Sequence, residues 1–98
     1  MACRVGDVVA LLEELAPPDL AEEWDNVGLQ VGSAQAGVTA VLISLDATPE
    51  VIAEAREAGA GMLVCHHPPI FRPLRRRLTD EPPGSLLRAA LAAGVPLY

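Results

Sequence analysis

The chain has 98 residues, 51% of them hydrophobic but only 3% aromatic, and a formal net charge of -6. That length supports one domain with a single shallow core built from Ala, Val, Leu and Ile, and the apolar content excludes a disordered chain. The acidic balance argues against nucleic acid as a partner, because phosphate binding needs a cationic face. No apolar run approaches bilayer length and no charged-then-apolar leader opens the sequence, so the expectation is a soluble, cytoplasmic protein with no membrane contact.

Charge is uneven along the chain. Residues 1–50 carry nine acids and one arginine, against four acids and six arginines in residues 51–98. The two cysteines, Cys3 and Cys65, are too few and too unlike in setting for a disulfide framework.

In chain order, Asp7 is expected to cap a first helix, with Val8, Leu11, Leu12 and Leu15 recurring along one face. Pro17-Pro18 ends it, and residues 19–23 read as one further turn capped by Asp19. Asn26 and Gly28 suit a bend before a short strand at residues 29–31, and Trp24, the only tryptophan, reads first as an anchor between the N-terminal helices and the sheet. A stacking role for it is the alternative. Residues 38–45 predict a strand buried on both faces. Thr48, Pro49 and Glu50 then form a helix start, with Val51, Ile52 and Ala55 as the apolar side and Gly59 as the stop.

Met62-Leu63-Val64-Cys65-His66-His67-Pro68-Pro69 follows, an apolar run ending in the chain's only two histidines. A helix starting at Ser85 places Leu86, Leu87, Ala90 and Leu91 toward the core, Gly94 stops it, and a last strand opens at Val95. From Val38 the order is therefore strand, helix, strand, helix, strand. The predicted fold class is α/β: a parallel βαβαβ unit with flanking helices.

His66 and His67 stand where open α/β sheets bind ligands, just past the carboxyl end of a buried strand. Neutral imidazole is a ligand for divalent transition metals. If the backbone stays extended through the pair, side chains alternate and two neighbouring ions, one per ring, fit better than one. Cys65 could add a soft ligand but reads first as a small buried hydrophobe. Asp46 ends the preceding strand, where it either caps the next helix or orients an imidazole or a water. Arg72, Arg75, Arg76 and Arg77 read as a solvated or oligomer-facing run, with anion binding as the alternative.

Three ordered motifs now matter together: Trp24-Asp25-Asn26-Val27-Gly28-Leu29-Gln30-Val31-Gly32, Ser44-Leu45-Asp46-Ala47-Thr48-Pro49-Glu50-Val51-Ile52 and His66-His67-Pro68-Pro69-Ile70-Phe71. With them the chain resembles the NIF-three-like dinuclear metal-centre family, whose members carry the label GTP cyclohydrolase I type 2 homologue. The resemblance runs over essentially the whole chain. It implies that the positions matching His66 and His67 each give a ligand to a two-metal centre of Zn, Fe or Mn. It implies a toroidal hexamer and a larger two-lobed fold, of which residues 1–98 form a single partial domain, truncated near the fourth strand. In the family an acidic ligand comes shortly after the position matching Tyr98, and a His and a Glu come from near the far C-terminus. This sequence contains none of the three, and Pro69 stands where an apolar residue such as leucine is usual. The implied activity is metal-dependent hydrolysis of a nucleotide-like substrate; the alternative is a non-catalytic metal-binding scaffold or metal carrier.

Overall fold

The computed structural model describes residues 3–72 and 81–98. Its elements are β1 (Cys3–Arg4), α1 (Val5–Leu15), a 3-10 turn (Pro18–Leu20), β2 (Gly37–Val38), β3 (Val41–Ser44), α2 (Pro49–Glu57), β4 (Met62–Cys65) and α3 (Gly84–Ala93). Helices and a parallel pair of strands alternate, as the α/β reading expects.

The central sheet is wider than its two named strands. β3 and β4 run parallel, with Val41 opposite Met62 and Ser44 opposite Cys65. On the far side of β4, residues 96–98 add a parallel neighbour: the Leu63 N–H donates to the Pro96 carbonyl at 2.9 Å, and the Cys65 N–H to that of Tyr98 at 2.8 Å. Residues 30–31 close this edge antiparallel, the Gln30 N–H donating to the Leu97 carbonyl at 2.7 Å. The expected final strand and the short one at residues 29–31 are thus both present as bridges through Leu97.

Alternation across β4 divides the core. Leu63 faces α2 and α3 and joins Ile52, Ala55, Leu86, Ala90, Val95 and Leu97 in the main cluster. Met62 faces the other way and joins Val5 and Val38 in a smaller one. The helix starts and stops explain why α2 and α3 lie where they do. Thr48 Oγ1 accepts from the Val51 N–H at 3.2 Å and Pro49 fills the first turn of α2. Gly59 and Gly94 adopt left-handed φ of 72° and 68° just past the two helices.

Several expectations change. Residues 38–45 do not form one strand buried on both faces: Val38 belongs to β2, which pairs antiparallel with β1, and the chain turns before β3 begins. Ile43 is 76% exposed, so only one face of β3 is covered. Asp7 is not the cap of α1 but its third helical residue, with Oδ2 accepting from the Arg4 N–H at 2.8 Å. A carboxylate there satisfies an N-terminal donor and complements the helix dipole. Leu11 and Leu15 of α1 and Leu91 of α3 are exposed, because Val5, Val8 and Val9 carry the α1 contact and Leu86, Leu87 and Ala90 that of α3. No helix among the described residues is long and apolar enough to cross a membrane.

Candidate metal centre

β4 delivers Cys65 to the sheet edge, and the histidines follow at once. The ladder with β3 does not stop cleanly there. The His66 N–H donates to the Ser44 carbonyl at 3.2 Å and the His67 N–H to that of Leu45 at 3.0 Å. Two successive residues donating to two successive carbonyls is not strand geometry, and the backbone bends at the pair. The premise of an extended backbone with rings on opposite sides therefore does not hold. The two imidazoles lie edge to face, with centroids 5.0 Å apart and planes at 72°.

Asp46 reaches this corner from the end of β3. Its Oδ1 accepts from His67 Nδ1 at 2.6 Å. It does not cap α2; Thr48 does. The Asp46 carbonyl accepts from Ser44 Oγ at 2.7 Å, which fixes the turn that carries the carboxylate. A carboxylate accepts only, so the shared proton sits on Nδ1 and the neutral ring keeps its lone pair on Nε2. Both side chains are 57% exposed, so the pair contributes little to folding; its effect is to set the orientation and tautomer of the ring.

Cys65 is half-buried, and its Sγ donates to the His67 carbonyl at 3.3 Å. Burial, and after it the Asp46 charge, pushes the thiol above its ordinary pKa, which disfavours the thiolate a metal requires. Arg72 is exposed; Arg75, Arg76 and Arg77 lie outside the described residues.

Trp24 does not anchor the N-terminal helices. It is 67% exposed, with its ring edge to face with Phe71 at a centroid distance of 6.3 Å. The loop that carries it is tied to the histidine loop: Asn26 Nδ2 donates to the Ile70 carbonyl and, at 3.1 Å, to Gln30 Oε1. Gln30 Nε2 returns bonds to the carbonyls of Asn26 and Gly28 at 3.1 and 3.2 Å. These amides are why the first and third sequence motifs meet. Two hollows flank His66. One, of about 60 Å³, lies among Asp25, Asn26, Gln30, Cys65 and Tyr98. The other, of about 400 Å³, is lined by Trp24, Asp25, His66, His67, Pro68 and Phe71. In the sequence Asn26 stands out as a bend residue beside Trp24, and Gln30 and Phe71 only as parts of the motifs, since a lone amide or phenylalanine carries no charge or metal signature.

Residues 3–98 match the family described as Duf34/NIF3 (NGG1p interacting factor 3). The chain belongs to that family. A relative from Clostridium perfringens named GTP cyclohydrolase 1 type 2 homolog is 38% identical over 95 residues, covering 97% of this chain and 36% of its own length. One of the same name from Bacillus subtilis is 36% identical over 91 residues, covering 93% and 24%. The chain thus spans between about a quarter and a little over a third of the length of these curated relatives. Among solved structures, a Bacillus cereus protein related to NIF3 superimposes with a TM-score of 0.91 at 36% identity, over 100% of this chain and 27% of that one. Reduced HcgD from Methanocaldococcus jannaschii gives 0.87 at 31% identity, over 100% and 39%.

The donor chemistry of the corner suits a transition metal, as an exposed imidazole oriented by a carboxylate is a common metal-ligand arrangement. Among the described residues, however, no three His, Cys, Asp or Glu side chains gather where they could hold one ion. The chain offers two imidazole arms rather than a closed site.

Proposed function

We propose that this chain contributes His66 and His67, one imidazole to each of two divalent ions, in a metal-dependent hydrolase acting on a nucleotide-like substrate. The observation that supports this most is the 2.6 Å bond from His67 Nδ1 to Asp46. It holds one ring of an exposed, adjacent pair in the tautomer that can bind a metal. The assignment of one ring to each ion follows the family resemblance, since the bent backbone does not by itself separate the rings. A pair of divalent ions supplies a hydroxide nucleophile and stabilises developing charge on a phosphate or ring amidine. In this chain His66 and His67 anchor the ions, and Asp46 orients His67. The hydrolase reading takes its substrate class from the names of the relatives, which call them homologs of a GTP cyclohydrolase. The remaining ligands come from a longer protein, assembled as a hexamer in the cytoplasm. Ile43 on β3, Leu45 just past it and Leu15 on α1 are exposed apolar side chains of the kind that such contacts cover.

A second reading, a non-catalytic metal-binding scaffold or carrier, is favoured by one detail. Asp46, the carboxylate bonded to the histidine pair, gives Oδ1 to His67, a positioning contact that a non-catalytic metal site equally needs. The full-length protein loaded in turn with Zn, Fe or Mn and assayed against nucleoside triphosphates decides between them. The hydrolase reading expects turnover with at least one metal, lost in His66→Ala. Metal retained by every form with no turnover in any establishes the carrier reading.

A further inference from the structure

The chain contains one tryptophan and one phenylalanine, and the fold brings them together, both exposed, beside the histidines. From this we infer that Trp24 and Phe71 form a stacking clamp for a flat aromatic ring, which they hold next to His66 and His67. The inference rests on the metal-site reading only for the clamp's neighbour, not for the clamp itself.

Three observations carry it. Aromatic side chains are ordinarily the first to be buried in a chain with so little aromatic surface, yet Trp24 is 67% and Phe71 51% exposed. Neither is left loose. Phe71 meets Trp24 at 64° between planes, and the loops that carry them are joined by the Asn26 side chain bonded to the Ile70 carbonyl. An edge-to-face pair held in this way keeps aromatic surface presented at little further entropic cost. Third, the pair borders a hollow of about 400 Å³, within the range of small-molecule sites, whose other walls are Asp25, His66, His67 and Pro68.

That lining selects a ligand class. Any heterocyclic base can stack on an indole face because every base has a π-face, which a phosphate lacks and a ribose ring offers only as C–H edges. Among the described residues no Arg or Lys lines the hollow, and Asp25 is an acceptor that takes N–H groups from a heterocycle edge. The ligand is therefore a planar heterocycle bearing ring or exocyclic N–H donors, recognised through the ring.

Guanosine and ribose 5-phosphate are suitable probes, titrated into the metal-free chain by calorimetry and by the fluorescence of Trp24, its sole tryptophan. The clamp predicts saturable guanosine binding with quenching, and neither effect from ribose 5-phosphate. Trp24→Leu and Phe71→Leu each weaken guanosine binding by about tenfold or more, while Trp24→Phe recovers most of it. Both side chains are exposed, so circular dichroism of the variants stays that of the parent. Equal binding of the two probes, or none of guanosine, overturns the clamp. So does unchanged binding in Trp24→Leu, or concentration-dependent quenching without ligand, which assigns the patch to a protein contact. Because no metal is present, this outcome is separate from the hydrolase test: guanosine can bind while every metallated form stays inert, and turnover can survive Trp24→Leu while the clamp fails.

Discussion

The two faces of the central sheet are finished differently. On one, Leu63 and Leu97 are sealed beneath α2 and α3 by Ile52, Ala55, Leu86 and Ala90. On the other, α1 covers Met62 and Val38 but leaves Ile43 of β3 in the open. The first face carries the stability; the second, with the histidine corner, is held by hydrogen bonds and turn geometry. The difference shows that an exposed site can still have its backbone tied at several points. Here those ties run through Ser44, Leu45, Asn26 and Gln30.

Urea denaturation can break that contrast. Leu63→Ala removes a fully buried side chain from the sealed face and should cost about 2–5 kcal/mol. Gly32→Ala comes next. At φ 111° an added Cβ would stand 2.7 Å from the Pro96 Cβ and 2.9 Å from its Cα, so the residue 30–31 edge must part from residues 96–98, at about 1–3 kcal/mol. Thr48→Ala removes the side-chain cap of α2 and should cost about 1 kcal/mol. Ile43→Ser on the open face should fall within about 0.5 kcal/mol of the parent. A loss at Ile43 comparable to that at Leu63 would abolish the distinction between the faces. Asp46→Asn should likewise leave the denaturation midpoint almost unmoved, because the pair is exposed, yet weaken metal binding by the full-length protein about 10–100-fold.

The parts legible in the sequence were those fixed by local chemistry. Thr48-Pro49-Glu50 announces a helix start that needs no tertiary help, and glycines at 59 and 94 announce its counterparts at the stops. The apolar run ahead of His66 places that residue at a strand end. What stayed hidden depended on partners distant in sequence. The run from Val38 looks continuous, but β2 leaves it to pair with β1, a contact set by residues 3–4. Asp46 sits among helix-start residues, so only the fold shows that its carboxylate turns back to a histidine 21 positions on. Trp24 reads as an anchor because tryptophan is usually buried; its partner Phe71 lies beyond the histidine motif and gives no local sign of the pairing.

The central claim, that His66 and His67 each hold one ion, is tested most directly by the metal content of the full-length protein after dialysis in metal-free buffer. The account predicts two equivalents in the parent and the loss of one in each of His66→Ala and His67→Ala. Two equivalents retained by both variants would contradict it.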